Sequence, residues 1–145
     1  MCFQMKRFPF YSRFLILISL FCLLGCSGNE KQLPELAEVT GNVTLDGTPL
    51  ADAIIDFYPQ SSQEKSNSRT STGVTDQNGK YTLMYDNATP GALLGDHLVR
   101  ISKTDGGAEV AGPEMLPAKY NEGSTLKATV TKAGPNQIDF ELKSK

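Results

Sequence analysis

From Val39 to Leu142 the apolar residues recur at every second position, in short runs closed by turn residues, and no stretch carries a helical period. Neighbouring side chains of a strand point to opposite faces, so this pattern buries one face and wets the other. Val39, Gly41, Val43 and Leu45 form a first apolar set, and Asp46-Gly47 then turns the chain ahead of Pro49. Ala53, Ile55 and Phe57 form a second set, closed by Pro59. Thr72 and Val74 mark a short third strand, with Val74 inward. Asp76-Gln77-Asn78-Gly79 reads as a hairpin turn in which Asn and Gly both tolerate positive φ. Tyr81, Leu83 and Tyr85 are the inward set of a fourth strand, Val99 and Ile101 of a fifth, and Leu126, Ala128 and Val130 of a sixth. Ile138, Phe140 and Leu142 against Asp139, Glu141 and Lys143 give the clearest amphipathic strand. Seven short strands separated by turn signals predict an all-β, Greek-key β-sandwich with two opposed apolar faces.

Two connections stand out. Residues 60–70 are polar and low in complexity, a surface loop. Residues 104–124 hold four Gly and two Pro in 21 positions. A structureless loop of that length is unusual in a compact domain, so it holds either an extra element near Met115 to Tyr120 or a functional loop.

The N-terminal end follows different rules. Lys6, Arg7 and Arg13 make a basic region, and Phe14 to Leu24 is an apolar run of 11 residues. That is short of the roughly 20 residues a membrane-spanning helix needs, and it fits the apolar part of a secretory signal. Residues 1–25 are therefore expected to be a signal peptide, with 26–38 as a polar tether and 39–145 as the folded domain. The competing reading is an uncleaved anchor in which Cys26 is incidental.

All sixteen acidic residues follow position 25, as do eleven of the fourteen basic ones, so the remainder carries a net charge of −5. An acidic domain without a basic stripe does not attract phosphate backbones, which argues against a nucleic-acid partner. The three cysteines are Cys2, Cys22 and Cys26, so residues 27–145 have neither a disulfide framework nor a cysteine metal site. His97 is the only histidine. It is a candidate general base beside Asp96, against the plainer reading of a partly exposed side chain at a strand start; no nucleophile motif accompanies it. Asp76 to Gly79 has the opening oxygens of a calcium loop but lacks the closing Glu, so a turn is the expected role. No catalytic residue, metal or cofactor is expected. Tyr58, Tyr85 and Tyr120 are candidates for stacking on sugar rings, against the plainer role of tyrosines at sandwich edges.

Two resemblances extend this reading. Leu23-Leu24-Gly25-Cys26 resembles the lipobox of bacterial lipoproteins, which implies that Cys26 is lipidated and becomes the new N-terminus. Ser27 in place of Asp leaves outer-membrane sorting open in that family. Val39-Thr40-Gly41-Asn42-Val43-Thr44-Leu45-Asp46-Gly47-Thr48-Pro49-Leu50 and Gly73-Val74-Thr75-Asp76-Gln77-Asn78-Gly79-Lys80-Tyr81-Thr82-Leu83 resemble the carboxypeptidase regulatory-like domain, a transthyretin-like (prealbumin-like) β-sandwich. These stretches mark shape, since their Gly residues serve turns and their apolar residues the core. The resemblance implies an envelope lipoprotein, held at the outer membrane or the periplasmic face. It also implies a non-catalytic interaction or structural module, with a membrane, an envelope protein or a glycan as partner. The alternative is a carbohydrate-binding module at the cell surface. Open sheet edges and the 104–124 loop are the expected contact surface.

Overall fold

The computed structural model describes residues 34–60 and 69–145. The expected signal peptide, Cys26 and the tether as far as residue 33 lie outside them, as do residues 61–68 of the polar loop. The described chain is all-β. Its strands are β1 (Leu36–Ala37), β2 (Val39–Leu45), β3 (Thr48–Pro49), β4 (Ile54–Pro59), β5 (Ser71–Val74) and β6 (Lys80–Thr82). They continue with β7 (Ala92–Leu93), β8 (Gly95–Ser102), β9 (Leu126–Val130), β10 (Asn136–Gln137) and β11 (Phe140–Leu142).

One sheet runs β5-β4-β8-β9 and is antiparallel throughout. A second is built on β2, which pairs antiparallel with β3 and β6 and parallel with β10 and β11. A two-stranded ribbon joins β1 to β7. Met84 crosses between the larger sheets, exchanging both backbone hydrogen bonds with Thr72 at 3.0 and 2.9 Å. The sheets face each other through a core of Val43, Phe140 and Leu142 on one side and Ile55, Phe57, Val99 and Ile101 on the other. Phe57 and Phe140 meet edge to face across it, centroids 6.3 Å apart. This layering is consistent with a β-sandwich.

The β2–β3 turn is as the sequence suggests: Asp46 and Gly47 have φ of 51° and 83°, the two-residue turn whose twist matches its strands. The second turn differs. Only Gly79 takes a positive φ there, and Asp76 Oδ1 accepts the backbone N–H of Asn78 and of Lys80 at 2.8 and 2.9 Å. The aspartate side chain, rather than an Asn-Gly pair, organises this corner.

Two further expectations are corrected. The tether ends sooner than residue 38, because Leu36 and Ala37 are half-buried in β1. Val74 does not face inward; it is 48% exposed, and Ser71, Gly73 and Thr75 take the inward positions. Those positions must be small: a Cβ on Gly73 would lie 2.8 Å from the Thr82 carbonyl oxygen, and Thr75 Oγ1 accepts the Ala53 N–H at 2.8 Å. The irregular 104–124 stretch does hold an extra element near Met115 to Tyr120, the first of the two alternatives, and is tied into the core. It pairs Thr104 with Glu114, buries Leu116, and forms a 3₁₀ turn over Ala118–Tyr120 whose Tyr120 hydroxyl accepts the Lys143 N–H at 2.8 Å.

The last strand is split at Ile138-Asp139. In a parallel ladder the Ile138 carbonyl would accept from Asn42 N–H, since Ile138 N–H donates to Thr40 O at 2.8 Å. It accepts the buried Tyr81 hydroxyl instead, at 2.7 Å, and Asp139 Oδ1 takes the Asn42 N–H at 2.8 Å. Burial, and secondarily the Asp139 carboxylate, push the Tyr81 phenol far up, so it stays a donor at any ordinary pH.

Candidate functional site

His97 is the first residue to place. It lies on the inward face of β8 and is 1% exposed, rather than partly exposed as expected. Asp96, its neighbour in sequence, points to the opposite face and accepts the Thr129 hydroxyl at 2.6 Å. Alternation along a strand separates the two, so no acid–base pair forms. The His97 Nε2 is 2.8 Å from the Leu93 carbonyl, which assigns the proton to Nε2, and Nδ1 is buried without a partner. Burial lowers the His97 pKa below its ordinary 6.5, against the opposing pull of the Leu93 carbonyl.

The unfolded chain binds this proton more readily than the folded one, so the contribution is whole above about pH 6.5 and is lost as pH falls below it. The exposed carboxylates of Asp46 and Asp86, both held below 3.8 by hydrogen bonds, act only at lower pH. With one histidine in the chain, urea unfolding between pH 7.5 and 5 isolates this residue. Stability should fall by up to about 1.4 kcal/mol per pH unit, and His97→Gln should flatten the dependence. A flat wild-type profile would contradict it.

The outer face of β4 and β8 carries the candidate site. Residues facing outward on adjacent antiparallel strands become neighbours by register, and Asp56 stands opposite Arg100. Together with Tyr58 and Ser102 they floor a groove of about 500 Å³ whose other wall is the 114–122 segment. That volume falls within the range of small-ligand sites. The Arg100 guanidinium lies over the Tyr58 ring, 5.0 Å from its centroid. No carboxylate among the described residues lies within ion-pair distance of Arg100, and its Nε is buried without a hydrogen-bond partner. Such an orphan donor costs about 1–3 kcal/mol.

The acceptors around it are held in place. Asp56 Oδ1 accepts the Thr72 hydroxyl at 2.7 Å. Glu114 Oε1 accepts the N–H of Lys103 and of Leu116 at 3.0 and 2.8 Å, which pins the far wall to the end of β8. Asn121 Oδ1 accepts the Glu122 N–H at 2.7 Å. Glu114, Glu122 and Asp56 give the groove three carboxylates to one guanidinium. A smaller depression of about 270 Å³ lies over Gly41, bordered by Lys80 and Gln137.

Of the three tyrosines considered for stacking, only Tyr58 lines the groove; Tyr85 and Tyr120 are buried. Asp76 to Gly79 form the turn described above, and no group of three or more His, Cys, Asp or Glu among the described residues is arranged to hold a metal ion. Cys26 lies outside the described residues. The sequence reading missed Arg100 and Asp56, which look like ordinary outward residues of separate strands. Their meeting depends on strand partners and register. The 104–124 stretch was singled out, and it supplies one wall of the groove through Glu114, Asn121 and Glu122.

No protein-family model matches the chain, and no curated protein matches it. Among solved structures it is similar to a DUF3823 family protein from Parabacteroides merdae, at 12% identity and a TM-score of 0.37 over 76% of this chain. It is also similar to a 9R-lipoxygenase from Cyanothece, at 16% identity and a TM-score of 0.38 over 93% of this chain. The chain spans 45% of the length of the first and 20% of the second.

Proposed function

We propose that the chain is a lipid-anchored protein of the bacterial cell envelope, carrying a Greek-key, transthyretin-like sandwich of the carboxypeptidase regulatory-like kind as a non-catalytic interaction module. The observation that carries this reading is Leu23-Leu24-Gly25-Cys26 directly after a basic region and an apolar run too short to span a bilayer. Acyl chains on Cys26 would contribute about 0.8 kcal/mol per buried CH₂, and two or more chains make a lasting anchor. No described helix is long and apolar enough to cross a membrane. The placement of His97 inside the core, away from Asp96, supports a body without acid–base machinery.

The test is direct. Intact mass of the protein from membranes should begin at Cys26 with a mass increment for acyl chains. Cys26→Ser should release the protein from the membrane fraction. A membrane-extracted protein that still starts at Met1 rejects the anchor.

A second reading, a carbohydrate-binding module, is favoured by the groove on β4 and β8, with its unpaired guanidinium beside fixed acceptors.

A further inference from the structure

The chemistry of the groove narrows its ligand, and the inference rests on the second reading above. Asp56, Glu114 and Glu122 outnumber Arg100, so phosphate, sulfate or an acidic sugar meets repulsion at the rim. Arg100 disfavours a bare cation, and no described cluster fits a metal. An apolar ligand finds little, since one face of the Tyr58 ring is already covered by Arg100. The fitting ligand is uncharged and carries paired donors and acceptors.

We propose that the groove binds a neutral mono- or disaccharide, with two adjacent ring hydroxyls bridging Arg100 and Asp56. Each hydroxyl both donates and accepts, so one pair satisfies a carboxylate that only accepts and a guanidinium that only donates. Cross-strand register places these two groups side by side. The site is preorganised: the Arg100 guanidinium rests over the Tyr58 ring, and Thr72 holds Asp56 through Oδ1, leaving Oδ2 its acceptor capacity. Glu122 offers a further acceptor on the facing wall.

The experiment is amide NMR on the full chain, titrated to millimolar levels with cellobiose, maltose, chitobiose, xylobiose and mannobiose. At least one sugar should give saturable shifts centred on Tyr58, Arg100 and Asn121. Arg100→Lys keeps the charge but loses the planar fork, and Asp56→Asn loses the acceptor charge. Each should weaken binding about tenfold or more while the thermal midpoint stays near wild type. Shifts absent for all five sugars, or unchanged in both variants, overturn the proposal. Photo-crosslinking in cells from a benzophenone residue at position 122 separates the readings. A protein adduct beside a blank sugar panel sinks the saccharide and leaves the interaction module standing. The mass of the N-terminus reports on the anchor independently of both.

Discussion

Phe57→Ala lowers the free energy of unfolding by about 3–5 kcal/mol, the range for removing a fully buried aromatic side chain. Phe57 is 0% exposed and sits where the two large sheets touch, its ring 6.3 Å from Phe140 and 5.5 Å from His97. Truncation removes the edge-to-face contact and leaves a void that β strands, fixed by their ladders, close only partly. Domains of this size are stable by about 5–15 kcal/mol, so the variant loses a large share of its margin. Urea unfolding should show a lower midpoint with little change in slope. Phe57→Leu, which keeps much of the volume, should cost clearly less. A midpoint shift for Phe57→Ala no larger than that of an exposed substitution would contradict the packing described for this sheet interface.

Gly41→Ala costs about 3 kcal/mol, for a different reason. Its φ is unremarkable; the constraint is closeness. A Cβ at this position would stand 1.8 Å from the Ile138 carbonyl oxygen and 2.8 Å from the Tyr81 ring. Both belong to the hydrogen bond that splits the last strand into β10 and β11. Adding one methyl therefore pushes β2 from its parallel partner and breaks the Tyr81–Ile138 bond together. Tyr81→Phe removes that bond alone and should cost about 1 kcal/mol. The two changes share one interaction, so the double variant should be less destabilised than the sum of the singles. Strict additivity would show that Gly41 and Tyr81 act separately.

The sequence made the strands legible where apolar alternation was strong. Val43, Ile55, Phe57, Val99, Ile101, Val130, Phe140 and Leu142 are all buried, because period-two alternation maps onto one face regardless of partners. It misled at β5, where hydrophobicity favoured Val74 while the crowding of Gly73 against Thr82 and the Thr75–Ala53 hydrogen bond reserved the inward face for small residues. It also missed His97, since an imidazole on an apolar stripe carries no mark of burial. The groove was half legible: residues 104–124 were conspicuous for length and glycine content, but Asp56 and Arg100 become a pair only through the β4–β8 register. Pairing information of that kind is not contained in any one strand.

The parallel pairing of β2 with β10 and β11 has a mechanical consequence. The chain enters at one end of β2 and leaves at the opposite end, after β11. Tension drawn between Glu38 and Lys143 would slide the two strands lengthwise, loading every bond of the ladder at once instead of peeling them one by one. Pulled along this axis, the fold meets force in shear, the geometry in which a short run of backbone bonds resists rupture best.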